Sequence, residues 1–351
     1  MRVGTAREAA VDWVVQHASR QAGFHGAYFI GSTTGLPEDG ELAPGSDVDV
    51  AVVTSEALSP KPGKVLYRGT LLDISLRPWQ QLTSVEEVMR SYHLAAGFRF
   101  NTIIADPTGD LRILQQNVAQ HFTEELWVRR RCQDARDNVE NWLKRIDRSA
   151  SWADQVTAWL FGTGVTTHIL LVAALRNPTV RLRYLAVREV LEQYGRTALY
   201  PVLLRLLGCA ELSPDRVEYH LASLARTFDA AATVAKTRFF FSSDITPAAR
   251  SIAIDGTGNV VRSGNHREAV FWIVATFARC HKILAADAPG TTQREFAPAF
   301  DEVLADLGIL STENLLQRAD SVLQFLPQLW DNAEGIIATN PSVTSKEADP
   351  A

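Results

Sequence analysis

The hydrophobic pattern of the chain changes near residue 110, and this change limits the fold more than any other feature of the sequence. Before this point, short apolar runs such as residues 27–30 and 48–53 end at loops rich in glycine and proline, which is typical of strands and tight turns. After it, apolar residues recur at three- and four-residue spacing, which is typical of helices. The sequence therefore predicts an α/β (α+β) fold, with a small mixed-sheet domain at residues 1–110 and a larger, mostly helical domain at residues 111–340.

Three segments beyond residue 110 carry a more specific expectation. Apolar residues on both sides of the Asp255–Asn259 stretch, DGTGN, predict a β-hairpin near residues 251–262. Residues 341–351 are polar without periodicity, and we expect a mobile tail there. Residues 156–175 lack charged side chains over about the ~20 residues that a membrane span needs. Their four threonines, two glycines and His168 favour a buried helix instead, with Gly162 and Gly164 serving close helix packing.

Charge and cysteine content exclude several classes of protein. The chain has 35 basic and 40 acidic residues, a net charge of −5, whereas proteins that hold long nucleic acid usually carry a strong basic excess. Its three cysteines lie far apart without a CxxC pair, which argues against a disulfide framework or a structural zinc site. The first residues have no apolar signal-peptide core, so we expect a cytoplasmic protein with no membrane partner.

Three aspartates on predicted strands are the candidate site. Asp47 and Asp49 are two residues apart on one predicted strand, so their side chains share a face. Asp73 is centred on a later apolar strand that can pair beside the first. Carboxylates brought together repel one another, and a divalent cation such as Mg²⁺ or Mn²⁺ neutralises them. Such ions steady the attacking and leaving oxygens in phosphoryl or nucleotidyl transfer.

A glycine turn precedes these aspartates in the chain. Gly31 follows the apolar run that ends at Ile30, and a glycine allows the backbone to approach a ligand closely. The Ser32 hydroxyl and the amides of this turn can then hold phosphate oxygens.

The order of these parts resembles the DNA polymerase β-like nucleotidyltransferase superfamily. The segment GSTTGLPEDGELAPGSDVDVAVV is similar to that of bacterial enzymes that adenylylate small molecules, among them the aminoglycoside nucleotidyltransferases. The resemblance covers residues 25–76. It implies a small mixed sheet with flanking helices, use of ATP or another NTP with Mg²⁺ or Mn²⁺, and a helical C-terminal domain that shapes the acceptor site. It also leaves a homodimer open.

The resemblance assigns a role to each matching residue. Gly31 and Ser32 would contact the nucleotide phosphates, Asp47 and Asp49 would bind the metals, and Asp73 would be a metal ligand or the base. The expected reaction transfers AMP from ATP to a hydroxyl of a small-molecule acceptor, such as an antibiotic, and releases pyrophosphate. Two alternatives stay open: transfer to a macromolecule (a tRNA end or a protein), or a non-catalytic, antitoxin-like binding module of the same fold.

Further charged residues have both a functional and a structural interpretation. His266 and Arg267 open an apolar helix whose N-terminus can bind phosphate, or that start is simply capped by Asn265. The basic run at residues 129–131 can bind the triphosphate or the acceptor, although a solvated face with i,i+4 ion pairs is favoured. Besides Asp73, three glutamates remain candidates for the general base: Glu140, Glu189 and Glu268.

Overall fold

The computed structural model describes residues 1–43, 45–55 and 62–345, and it divides into two compact units. The first contains Met1–Arg131 with the described residues after Asn340, and the second contains Cys132–Asn340. The division falls inside the helix Glu125–Lys144, whereas the sequence pattern places it at residue 110. The contacts of Arg131 and Cys132 explain why the boundary lies between them. Arg131 is buried in the first unit, whereas the thiol of Cys132 donates to the carbonyl of Ile169 in the second.

The first unit is built on a mixed sheet, and the mixed α/β class expected from the sequence is confirmed. Its strands are β1 (Phe24–Ile30), β2 (Val48–Thr54), β3 (Gly63–Tyr67), β4 (Thr70–Pro78) and β5 (Ile103–Ala105). They lie in the order β3-β4-β2-β1-β5. Strands β2 and β4 run parallel, and the other pairs are antiparallel.

One face of this sheet is covered by the first helix, α1 (Val3–Trp13), and the π-helical turn Val14–Ala18. Alternate residues of β2, Val48, Val50 and Val52, are buried against this helix. Because strand side chains alternate between faces, the intervening Asp49 projects from the opposite face. The hydrophobic core thus determines which face of β2 carries the acid.

Two short helices, α2 (Val85–Arg90) and α3 (Asp110–His121), complete the first unit. The Ser84 hydroxyl accepts from the amide of Glu87 at the start of α2. Asp106, which is buried, accepts from backbone amides of the α3 start, including that of Arg112 at 2.9 Å. Both helix starts therefore have side-chain acceptors for amides that the helices themselves leave unsatisfied.

The second unit is helical throughout its regular structure. Helix α4 (Glu125–Lys144) enters it from the first unit. The remaining helices are α5 (Trp152–Ala173), α6 (Arg183–Gln193), α7 (Tyr200–Leu207), α8 (Pro214–Val234), α9 (Thr257–Arg262), α10 (His266–Asp287), α11 (Gly290–Asp306) and α12 (Thr312–Thr339).

The prediction of a β-hairpin near residues 251–262 is wrong. The segment forms the π-helical turn Ser251–Gly256, which runs directly into α9. The consecutive residues Ile252, Ala253 and Ile254 are all buried, whereas a half-exposed hairpin strand buries alternate residues. Gly256 also has a helical φ of −62° instead of the positive φ that favours glycine in hairpin turns.

Two helices among the described residues are long and apolar enough to cross a membrane by length and composition alone. They are α5 and α10, and 83% and 67% of their most apolar windows are buried inside the protein. The sequence pattern singled out only the first of these helices as long enough and uncharged enough for a membrane span, and its prediction as a buried helix is confirmed.

The first part of the predicted tail forms backbone hydrogen bonds. The amide of Thr344 donates to the carbonyl of Thr123 at 2.9 Å, and its own carbonyl accepts from the amide of Glu125 at 3.0 Å. This part of the predicted mobile tail is therefore attached at the start of α4. Residues 346–351 of the predicted tail lie outside the described residues.

The two glycines of α5 allow close helix packing. A Cβ at Gly162 would lie 2.6 Å from a methyl carbon of Leu143. A Cβ at Gly164 would lie 2.4 Å from Nη1 of Arg183 and 2.6 Å from the ring of Phe271. All three distances are shorter than a carbon atom can tolerate, so the packing interpretation of these glycines is confirmed.

We expect Gly164→Ala to destabilise the protein by about 1–3 kcal/mol, since the methyl group overpacks a filled core. Gly290→Ala in the first turn of α11 is the matched control, because its Cβ would meet only the flexible end of Arg294 at 3.4 Å. Both changes restrict the unfolded chain equally, so the difference between them reports the packing. Urea unfolding of both variants checks this, and equal stabilities would contradict it.

Candidate metal centre

Carboxylate oxygens of Asp47, Asp49 and Asp73 lie within 4.8 Å of one another. The parallel pairing of β2 with β4 places Asp49 directly opposite Asp73. Asp47 immediately precedes β2, so it joins the same cluster two residues away from Asp49. All three side chains are partly exposed, as a site that admits a ligand requires.

Gly31 follows the last residue of β1 and lies against this cluster. Its neighbour Ile30 pairs with Asp49 in the antiparallel register. The φ of Gly31 is +75°, and a Cβ there would lie 1.9 Å from Oδ2 of Asp49. Only glycine therefore fits between the turn and the carboxylate. Ser32 begins the following 3₁₀ turn, Ser32–Gly35, and is exposed to solvent.

The glycine turn is braced from α1 by Arg7, which the sequence analysis did not single out. Its guanidinium group donates to the carbonyl of Thr33 and, at 3.0 Å, to that of Leu36. It also lies over the Phe29 ring at 5.9 Å. In the sequence, Arg7 looks like any polar residue of an amphipathic helix, and no local pattern distinguishes it.

Lys64 on β3 is the second residue that the sequence analysis missed. Its Nζ donates to Oδ2 of Asp47 at 2.5 Å and to Oδ2 of Asp73 at 2.8 Å. The lysine side chain is only 7% exposed. A signal for it exists in the sequence, because the two-residue turn Arg68-Gly69 sets a register in which Lys64 pairs with Asp73. The apolar run that predicts this strand, residues 65–68, starts at Val65 and so excludes Lys64 by one residue.

The donor set suits a hard divalent cation. The three carboxylates carry more negative charge than the single Lys64 ammonium group can offset. Carboxylate oxygens are the ligands that Mg²⁺ and Mn²⁺ prefer in proteins. Asp47, Asp49 and Asp73 therefore fit the metal ion that the resemblance implies.

His266 and Arg267 belong to the second unit and begin α10. Nε2 of His266 lies 3.0 Å from the carbonyl oxygen of Leu212. The predicted cap is wrong, because the Asn265 side chain makes no capping hydrogen bond. Its oxygen instead accepts from Arg188 at 2.8 Å.

The basic run at the start of α4 is taken up by ion pairs and a buried contact. Arg129 forms an i,i+4 pair with Glu125 at 2.9 Å, as the favoured structural interpretation predicts. Arg130 pairs with Glu86 at 2.8 Å. Arg131 departs from that interpretation, because it is a core residue that donates to backbone carbonyls in the first unit.

The candidates for a general base differ in their surroundings. The hydrogen bond from Lys144 lowers the pKa of Glu140, so this carboxylate is a weak proton acceptor at neutral pH. Glu268 is buried and accepts from Arg188 at 2.5 Å and from the Tyr200 hydroxyl at 2.7 Å, as a structural carboxylate does. Glu189 is exposed on α6. Asp73 is the candidate that lies in the carboxylate cluster itself.

The chain matches no protein-family model, no curated protein and no solved structure. The resemblance noted in the sequence therefore gains no support from these comparisons. The carboxylate cluster and the glycine turn beside it are the features of the molecule that bear on its function.

We expect Gly31→Ala to disrupt the cluster, because its Cβ would overlap the Asp49 carboxylate and the residue would also be strained at a positive φ. The two effects together should lower stability by about 1–3 kcal/mol and weaken Mn²⁺ binding. Gly35→Ala is the matched control in the same turn, since no atom lies within 4 Å of its Cβ position. Thermal unfolding and Mn²⁺ titration measure both effects, and identical behaviour of the two variants would refute the close-approach argument.

Proposed function

We propose that the protein is a metal-dependent nucleotidyltransferase of the DNA polymerase β-like type, which transfers AMP from ATP to a hydroxyl of a small molecule. The observation that carries this proposal is the convergence of Asp47, Asp49 and Asp73 to within 4.8 Å on adjoining strands. The glycine turn at Gly31 lies directly against these acids and supports the same function. A cluster of unneutralised acids is unfavourable, so a site of this kind suits a chemistry that uses cations.

Asp47, Asp49 and Asp73 would hold the Mg²⁺ or Mn²⁺ ion. When bound, the ion supplies positive charge that stabilises the attacking and leaving oxygens of the phosphoryl group. The exposed hydroxyl of Ser32 and the amides of its turn would bind the nucleotide phosphates. His266 and Arg267 remain proposed phosphate contacts of the second unit.

The proposed reaction joins the acceptor oxygen to the α-phosphorus and breaks the bond to the bridging oxygen. Pyrophosphate leaves with that oxygen, and the hydroxyl proton passes to a base. Asp73 is proposed for this proton, because it is the base candidate within the cluster. The choice of AMP and of an antibiotic-like acceptor rests on the resemblance alone.

The net charge of −5 favours a small acceptor over a long nucleic acid. An experiment distinguishes this proposal from its two alternatives, which are transfer to a tRNA end or a protein side chain, and binding without turnover. Purified protein is incubated with Mg²⁺, each of the NTPs, and a panel of hydroxyl-bearing small molecules, tRNA or lysate proteins. Pyrophosphate release with small molecules supports the proposal. Transfer only to tRNA or protein supports the macromolecular alternative. If no acceptor leads to pyrophosphate release, the proposal that the protein is a nucleotidyltransferase is refuted.

We expect Asp47→Asn and Asp73→Asn each to lower pyrophosphate release by about 10²-fold or more, because each removes a charge that acts on the transition state. Asp39→Asn is the matched control, since Asp39 is an exposed acid of the same unit outside the cluster. Its release rate should equal that of the unaltered protein. Retention of activity in both cluster variants would show that these carboxylates do not serve catalysis.

A further inference from the structure

Lys64 bonds to two of the three carboxylates that would bind a metal ion. Its Nζ lies 2.5 Å from Oδ2 of Asp47 and 2.8 Å from Oδ2 of Asp73. We propose that Lys64 is a built-in counter-ion of the cluster, and that a divalent cation binds Asp47 and Asp73 in exchange for it. This inference rests on the proposed function for the metal site, and it adds a residue that neither the motif nor the resemblance assigns.

The exchange follows from the space available around the shared oxygens. A divalent cation takes carboxylate oxygens at roughly 2.0–2.6 Å, a distance similar to the one at which the ammonium group holds them. Both cations would then share the same carboxylate oxygens in a partly buried site, where like charges repel strongly. The ammonium group and the metal ion are therefore alternative occupants of the Asp47–Asp73 pair.

The strand that carries Lys64 allows the side chain to leave. In the sheet, β3 is an edge strand that pairs only with β4 among the strands of the described residues. The ammonium group of a lysine is carried on a flexible four-carbon side chain. It can therefore move away from the carboxylates while the β3–β4 backbone pairing stays intact. In the present position the side chain is only 7% exposed and its ammonium group contacts both aspartates.

Without Lys64, Asp47 and Asp73 would lose the ammonium group that both carboxylates contact. Like-charged carboxylates in one site raise the free energy of the folded state until a proton or a cation neutralises them. The lysine relieves this repulsion in the metal-free protein. A metal ion must then compete with the ammonium group for the carboxylates of Asp47 and Asp73. Lys64 therefore stabilises the empty cluster and weakens its metal affinity at the same time.

The first test compares Lys64→Met with Lys64→Arg and the unaltered protein by calorimetric titration of Mg²⁺ and Mn²⁺. We expect Lys64→Met to bind Mn²⁺ about tenfold more tightly, which corresponds to about 1.4 kcal/mol of relieved competition. The charge-conserving Lys64→Arg should stay close to the unaltered protein. In EDTA, Lys64→Met should melt at a lower temperature, and saturating Mn²⁺ should remove most of that difference.

The second test uses the unaltered protein, so it does not depend on how any variant folds. Amine acylation at increasing Mn²⁺ is followed by mass spectrometry, with Lys144 as the internal reference because its side chain is 60% exposed. We expect Lys64 to be labelled severalfold faster when the metal is bound, while labelling of Lys144 stays constant.

The outcomes separate the two proposals. If the unaltered protein binds Mn²⁺ but Lys64→Met binds it equally well, or Lys64 labelling does not change, the exchange is refuted and the proposed function stands. If no Mn²⁺ binds to the unaltered protein or to Lys64→Met, both the exchange and the metal-dependent function are refuted. Tighter binding together with faster labelling supports the exchange, whatever acceptor the reaction uses.

Discussion

The in-register parallel pairing of β2 with β4 is the constraint on which the candidate site depends. It sets Asp49 opposite Asp73, while the flanking Val48 and Val50 are fully buried under α1. A slip of one residue along β2 would turn Asp49 into the core and its valine neighbours toward solvent. The same hydrophobic packing that stabilises the sheet therefore holds the acids on one face, so the core and the site cannot vary independently.

Bringing these acids together has an electrostatic consequence for the rest of the unit. The β1 turn can approach Asp49 only through a glycine, because a Cβ at Gly31 would overlap the carboxylate. The Arg7 guanidinium group braces the far side of that turn, while Lys64 neutralises part of the charge from the opposite edge of the sheet. Gly31 and Lys64 therefore lie directly against the acids, whereas Arg7 acts on the turn that follows Gly31.

Sequence reasoning succeeded where the pattern is enforced by the core. The alternation of valine and aspartate in β2 predicted both the strand and the face of the acids. The threonines, glycines and His168 within the uncharged run predicted that α5 is a buried helix. It failed where local composition and burial disagree. The DGTGN stretch looks like a hairpin turn, yet the preceding Ile252 and Ile254 are both buried in a π-helical turn. Arg7 acts through contacts with residues far along the chain, which single-sequence patterns do not encode. Lys64 was missed for a different reason, because it lies one residue before the apolar run that predicts its strand.

The position of Lys64 depends in turn on the two residues that join β3 to β4. Arg68 and Gly69 both have positive φ, at 47° and 77°, as a two-residue hairpin turn with the right-handed twist of a sheet requires. This conformation is unfavourable for arginine, and the Arg68 guanidinium group contacts Asp12 of α1 at 3.0 Å. One further residue in this turn would shift β3 along β4 and move the ammonium group away from Asp73. The charge balance of the cluster therefore depends on a turn that lies four residues after Lys64 in the chain, at the end of the hairpin away from the Lys64–Asp73 pair.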